Sequence, residues 1–207
     1  MLIRRGQWPI LVVNAVYLAV AGAFYGLRGN HEFLLYIGVI VLFFGLILAT
    51  NRRVQYPNGV LWGLTVWGVL HMCGGGVPVG RGVLYGQILI PLSKTYPVIR
   101  FDQVVHVIGF GVATLMMDHL LRPLLRPDLG RWTALSIVVA MAGLGVGALN
   151  EIVEFAAVVL VPETGVGGYV NTSLDLVADL AGAVLAVAYL RIRGWRAPRT
   201  APESADG

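Results

Sequence analysis

The stretch 132–160, "WTALSIVVAMAGLGVGALNEIVEFAAVVL", is an apolar run interrupted near its end by two carboxylates, Glu151 and Glu154. A helix rises about 1.5 Å per residue, so about 20 apolar residues cross a hydrocarbon core of about 30 Å. The run therefore predicts a membrane-spanning helix. A charged side chain at the bilayer centre costs roughly 2.5–3.5 kcal/mol on insertion scales, so both glutamates need polar partners.

The remaining sequence has the same apolar character. The chain has 207 residues, of which 57% are hydrophobic and 13% are charged, whereas soluble domains are about 25% charged. We predict an all-α polytopic membrane protein with one domain, 1–194, built as a bundle of six transmembrane helices. The first apolar run is longer than a signal-peptide core of about 7–15 residues, which favours a retained span. The predicted spans are 8–27, 31–50, 58–76, 102–121, 132–160 and 171–191.

Two segments fall outside these spans. Residues 77–101 are too interrupted by glycine and proline to cross the membrane, and we predict an outer connection that is interfacial or re-entrant. Residues 195–207 are polar and rich in alanine and proline, which predicts a disordered cytoplasmic tail. Small residues that let helices approach closely recur within two spans, at Gly143 and Gly147 and at Ala178, Gly182 and Ala186.

The basic residues predict the orientation in the membrane. If the N-terminus is inside, eleven basic residues lie in inner segments and four, Arg28, Arg81, Lys94 and Arg100, lie in outer ones. Cytoplasmic loops carry the excess of arginine and lysine, so both termini are predicted to be cytoplasmic. The pI near 9.5 is explained by this topology, and we predict no nucleic-acid partner. The eleven are Arg4, Arg5, Arg52, Arg53, Arg122, Arg126, Arg131, Arg191, Arg193, Arg196 and Arg199.

Seven ionisable residues from four spans fall in the outer half of the predicted bundle. Within each span the acids and histidines are spaced three or four residues apart, which places them on one helix face. If the four faces converge, they form an outward-facing carboxylate and histidine pocket. The seven are His71, Asp102, His106, Glu151, Glu154, Asp175 and Asp179.

Carboxylates with imidazole suit a divalent metal such as Zn, Mn or Fe. We predict that the metal ligands are His71, Asp102, His106, Asp175 and Asp179. Glu151 or Glu154 is then the catalytic general base, with water activated against a lipid or an amphipathic small molecule. No H-E-x-x-H or E-x-x-H motif supports the assignment.

Two alternatives stay open at this point. The polar cluster is structural if its carboxylates are protonated and hydrogen-bond across helices. The protein is a proton-coupled or cation-coupled transporter if the acids belong to a relay across the membrane. The absence of a repeat and the one-sided position of the acids argue against alternating access.

Four segments together resemble the YjdF-like family of uncharacterised bacterial inner-membrane proteins. They are "LHMCGGGVPVG" (70–80), "RFDQVVHVIGFGVAT" (100–114), "LNEIVEF" (149–155) and "NTSLDLVADLAGAVLA" (171–186). The family has His-x-x-Gly before a proline, then Asp-x-x-x-His, Glu-x-x-Glu and Asp-x-x-x-Asp helices. VanZ-like proteins share a similar Asp-x-x-x-His pattern and are the nearest alternative.

The resemblance implies a helical bundle in the bacterial cytoplasmic membrane. It also implies that all seven pocket residues occupy motif positions. The chain is a divergent member, with Gln103 where the family commonly has Arg and Phe155 where it commonly has Trp. The resemblance implies no particular activity.

Overall fold

The computed structural model describes residues 3–125 and 132–193. This part of the chain is built from six long helices and one short β-hairpin, which confirms the prediction of an all-α fold. The helices are α1 (Trp8–Leu27), α2 (His31–Val54), α3 (Asn58–Gly76), α4 (Phe101–Leu121), α5 (Trp132–Leu160) and α6 (Tyr169–Ile192). The hairpin consists of β1 (Pro78–Val79) and β2 (Gly82–Val83).

The helix ends lie close to the predicted limits, and the largest difference is at α2. This helix continues four residues past the predicted end, through two arginines that favour a helix C-terminus. It stops where Gln55 adopts a left-handed conformation with φ of 55°, two residues before Pro57. The predicted tail, 195–207, lies outside the described residues, as do Arg126, Arg131, Arg196 and Arg199.

Five of the described helices are long and apolar enough to cross a membrane, and α3 is the exception. Although α3 has 19 residues, its glycines, tryptophans and polar Asn58, Thr65 and His71 dilute its hydrophobicity. The sixth span therefore stays a prediction. Large apolar side chains such as Val20, Leu42 and Val159 are mostly exposed on the helices, as lipid-facing residues are.

Helix α4 occupies the centre of the bundle, where it packs against α3, α5 and α6. Its closest approach is to α6, at Gly111 and Gly182. A methyl group on Gly182 would lie only 2.9 Å from the backbone nitrogen of Gly111. Gly143 and Gly147 let α5 pack closely on its neighbours, because a methyl group there would overlap Thr114 of α4 and Asp179 of α6 respectively. The small residues predicted at helix contacts are all buried.

The 77–101 connection folds back on the end of the bundle that contains the polar cluster. After the hairpin it forms a short 3-10 helix, Leu84–Gly86, and then pairs Ile88 with Arg100. It contains no membrane-spanning helix. Its apolar side chains are nevertheless exposed, which is compatible with the predicted interfacial position; they are Ile88, Leu89, Ile90, Leu92 and Tyr96.

Candidate functional site

His106 lies at the centre of the polar cluster, one turn into α4. Its Nδ1–H donates to Oδ1 of Asp179 at 2.8 Å. Oε1 of Glu151 is 3.9 Å from the same nitrogen, and Oδ1 of Asp102 is 3.9 Å from Nε2. His106 is 4% exposed and Asp179 is fully buried, so these charges interact away from water. Three helices thus bring their ionisable side chains to one imidazole ring.

The local sequence explains why these side chains converge. Residues four apart on a helix share a face, which aligns Asp102 with His106 on α4 and Asp175 with Asp179 on α6. The glycine contact between α4 and α6 then lets the two faces approach. Gly147 removes the Cβ that would otherwise fill the space of the Asp179 carboxylate. The sequence spacing thus determines which side chains share a helix face, and the small residues determine how closely the faces approach.

Two carboxylate oxygens in this cluster have no hydrogen-bond partner among the described residues. They are Oδ1 of Asp175 and Oδ2 of Asp179, and both residues are buried. Buried polar atoms are almost always satisfied in folded proteins, and each unsatisfied one costs about 1–3 kcal/mol. Carboxylate oxygens that lack a hydrogen-bond donor in a buried cluster are therefore well suited to bind a cation.

Arg100 lies at the edge of the cluster and contacts both α4 and α6. Its guanidinium donates to Oδ1 of Asn171 and lies 3.5 Å from the carboxylate of Asp102. Asn171 in turn donates to Oδ2 of Asp175, which leaves Oδ1 of that aspartate unoccupied. From the sequence, Arg100 was used only to predict the orientation in the membrane. The four-residue spacing of Asn171 and Asp175 on one helix face is the signal that could have predicted part of this series of hydrogen bonds.

His71 lies at the same end of the bundle but has different partners. The hydroxyl of Tyr85 is 2.5 Å from its Nδ1 and 2.9 Å from its carbonyl oxygen, and the Trp67 ring stacks on the imidazole at 5.5 Å. Burial, together with the nearby Asp102 carboxylate, raises the pKa of Tyr85 well above its ordinary value, so the hydroxyl stays protonated. No pattern in the glycine-rich connection pointed to Tyr85.

Within the described part of the chain, two groups of side chains have ligand atoms close enough to hold a metal ion. One is Asp102, His106 and Asp175, and the other is His106, Glu151 and Asp179; within each group the atoms lie within 4.8 Å of one another. Four of the five predicted ligands are in these groups. His71 and Glu154 are in neither, and their predicted roles as ligand and base stay predictions.

A cavity of about 550 Å³ lies beside the cluster, between α2, α3, the 77–101 connection and the segment that joins α5 to α6. This volume falls in the range of small-molecule sites, about 300–1,000 Å³. Its polar lining includes His71, Asp102 and Glu154 from the predicted pocket, together with Arg100. It also includes Glu32, to which the sequence analysis gave no role and whose Oε2 accepts the Gly165 N–H at 2.6 Å.

Other buried polar groups lie toward the opposite end of the bundle. Arg122 pairs with Asp118 at 2.7 Å, and Asn51 donates to Gln7 at 2.7 Å. Between His106 and Asp118, the buried α4 residues are apolar except Thr114, whose hydroxyl donates to the Phe110 carbonyl. Within the part of the chain described, α4 thus provides no continuous polar path from one end to the other.

Comparison with known proteins gives one match. The model of a family described as "Predicted membrane protein (DUF2238)" matches residues 9–196, nearly the whole chain. The YjdF-like proteins are this family, so the resemblance seen in the four motifs is confirmed. No curated protein matches the chain, and no solved structure does.

Proposed function

The chain belongs to the DUF2238 family of predicted membrane proteins, and from the geometry of the cluster we propose that it is a metal-dependent enzyme. The proposed ion is divalent, Zn, Mn or Fe, and the proposed substrate is a lipid or an amphipathic small molecule in the adjacent cavity. The observation that carries the proposal concerns buried Asp175, a member of a three-residue ligand group, whose Oδ1 has no hydrogen-bond partner in the part of the chain that the structure describes.

Of the two candidate groups, we favour Asp102, His106 and Asp175. His106 would offer Nε2 to the ion, while its Nδ1–H donates to Asp179. Metal-binding histidines usually donate their second N–H to a carboxylate or carbonyl, which fixes the ring. Asp102 also lines the cavity, so an ion at this position could be reached by substrate. Asp179 and Glu151 lie near Nδ1 of the same ring, so they would influence the ion through the imidazole.

The ion would act as a Lewis acid and lower the pKa of a bound water. Glu154 lines the same cavity as Asp102, and its Oε1 accepts a hydrogen bond from the side-chain amide (Nδ2) of Asn150 at 2.9 Å. This position makes Glu154, rather than the more deeply buried Glu151, the better general base. Arg100 lines the same cavity, 3.5 Å from the Asp102 carboxylate, and would help to hold that ligand in place.

We place the site on the outer face of the bacterial cytoplasmic membrane, in a six-span bundle with both termini inside. The support is the distribution of eleven basic residues against four. In a Cys73→Ala background, cysteine replacing exposed Thr95 should react in intact cells with an impermeant thiol reagent. Cysteine replacing exposed Arg53 should react only after permeabilisation. The opposite pattern would reverse the orientation.

The two alternatives are weaker on specific observations. A structural network would satisfy its own buried oxygens, whereas Oδ1 of Asp175 and Oδ2 of Asp179 have no hydrogen-bond partner among residues 3–125 and 132–193. A transporter needs a path to the other side of the membrane. On α4, the described residues between His106 and Asp118 offer only Thr114 as a buried polar side chain.

Elemental analysis of the protein purified in mild detergent tests the proposal. Wild type should carry a divalent metal at close to one per chain, and Asp175→Asn and His106→Gln should lose it while staying folded. Asp118→Asn is the matched control, because it removes the same charge from the other end of α4. Metal-free wild type after supplementation with Zn, Mn and Fe, or equal metal in all four proteins, would overturn the proposal.

A further inference from the structure

We propose that the cavity beside the cluster binds an organic ammonium group, carried either by a lipid headgroup or by a free amine. The inference rests on the proposed function, because it specifies the substrate class for the same site. It assigns a ligand-binding role to Glu32, Tyr36 and Phe33, which lie on α2 and line the cavity.

The charges of the cavity favour a cation. Arg100 and Asp102 lie 3.5 Å apart and balance each other. Glu32 also lines the cavity, and it has no ion-pair partner among residues 3–125 and 132–193. Glu32 is only 7% exposed, so its charge is poorly screened by water. The uncompensated charge of the lining is therefore negative and is partly buried.

Hydrogen bonds hold Glu32 in position. Its Oε2 accepts the backbone N–H of Gly165 at 2.6 Å, and its Oε1 accepts the Tyr36 hydroxyl at 3.3 Å. These neutral donors stabilise the carboxylate without cancelling its charge. Gly165 belongs to the segment between α5 and α6, so Glu32 joins two walls of the cavity.

Aromatic rings distinguish an organic cation from a second metal ion. Phe33, Tyr36 and Tyr85 all line the cavity, and the Phe33 ring also packs against Tyr25 at 4.5 Å and Tyr36 at 5.4 Å. An aromatic wall suits the alkyl groups of an organic ammonium, with cation–π attraction where a ring face is open, whereas small divalent ions prefer oxygen or nitrogen ligands. The volume of about 550 Å³ also exceeds what one ion needs.

The cavity connects this subsite to the proposed ion. Glu32 and Asp102 both line it, one on the α2 wall and the other at the start of α4. An ammonium group near Glu32 would leave the remainder of the molecule directed toward Asp102 and Arg100. The cation subsite would therefore orient the substrate, while the metal group acts on a bond farther along it.

A pair of shape-matched ligands tests the inference. Choline and its uncharged isostere 3,3-dimethylbutan-1-ol are titrated into the purified protein, with binding measured by calorimetry. In a second arm, dihexanoyl phosphatidylcholine is compared with dihexanoyl phosphatidylglycerol, which lacks the ammonium. Binding of choline but not the isostere is expected if free amines are accepted. Preference for the choline lipid alone assigns the headgroup as the source, and no ammonium preference in either arm overturns the inference.

Matched variants locate the subsite. Glu32→Gln should weaken binding of the ammonium ligand about tenfold, which corresponds to about 1.4 kcal/mol. Glu163→Gln, at an exposed position between α5 and α6, should bind like wild type. Tyr36→Phe and Tyr36→Leu both lose the hydroxyl, but only the leucine variant loses the ring and should bind more weakly. Wild-type affinity in Glu32→Gln would contradict the assignment.

The metal content of each preparation separates the two proposals. Ammonium binding in a protein without metal would overturn the proposed function but keep the cation subsite. A stoichiometric metal in a protein without ammonium preference would overturn only the subsite.

Discussion

Replacing Gly147 by alanine should disturb the polar cluster through a single methyl group. The new Cβ would lie 2.6 Å from Cγ and 2.9 Å from Cβ of Asp179, well inside contact distance. The aspartate has little freedom to move away, because it is fully buried on α6 and its Oδ1 accepts the His106 N–H at 2.8 Å. Relief of the overlap therefore requires α5 and α6 to separate or the His106 contact to break.

Gly145 provides the control that isolates this effect. It lies on the same helix, and a methyl group there would meet none of the described residues within 4 Å. Both substitutions gain the helix propensity of alanine, about 0.8–1.0 kcal/mol, so this gain cancels between them. Overpacking a buried site costs about 1–3 kcal/mol. Gly147→Ala should therefore be less stable than Gly145→Ala by about 1–3 kcal/mol.

Unfolding in mixed detergent and SDS micelles, followed by circular dichroism, measures this difference. Metal content is measured on the same samples, and it should fall in Gly147→Ala but not in Gly145→Ala. Equal unfolding transitions for the two variants would refute the close contact between Gly147 and Asp179. The convergence of α5 and α6 on the cluster would then need another explanation.

Three further predictions follow from contacts elsewhere in the bundle. Thr65→Val should destabilise the protein by about 0.6–2 kcal/mol in the same assay, because the Thr65 hydroxyl accepts the Asn14 amide at 2.7 Å between α3 and α1; an unchanged transition would show that this bond contributes nothing. Tyr85→Phe should cost about 0.5–1.5 kcal/mol through loss of the hydroxyl contacts with His71. The raised pKa of Tyr85 means that the folded state holds the phenol proton more tightly than the unfolded state does. The contribution of this group to the free energy of unfolding is therefore complete below about pH 10 and is lost as the pH rises above that value. A loss of wild-type stability between pH 7 and 9 that Tyr85→Phe abolishes would contradict this sign. Asn171→Ala should cost about 1–3 kcal/mol and lower metal content, since Asn171 holds both Arg100 and Asp175; full metal content in this variant would show that Asn171 is not needed to position Asp175.

The sequence was most informative where periodicity and hydrophobicity act alone. Runs of apolar residues located all six helices, because each helix satisfies its own backbone hydrogen bonds wherever it lies. The three- and four-residue spacings placed the acids on common faces, and the structure brings His106, Glu151 and Asp179 together across three helices. The small residues at Gly147 and Gly182 were recognised as packing positions, but not the side chains they accommodate.

The remaining features depend on contacts between residues that are distant in the chain. Glu32 reaches Gly165, 133 residues away, and nothing near either residue indicates that bond. Tyr85 reaches His71 only because the 77–101 connection folds back over the bundle. These two contacts shape the cavity, so its lining could not be predicted from spacing within single helices.

Anomalous diffraction from crystals grown with Zn²⁺ or Mn²⁺ would locate the proposed ion. We expect one strong anomalous peak between Nε2 of His106 and the carboxylates of Asp102 and Asp175, at about 2.0–2.2 Å from each ligand atom for Zn²⁺. The peak should be absent in Asp175→Asn crystals grown in the same way. A wild-type structure with no peak in the cluster, or with its only peak at His71, would contradict the account.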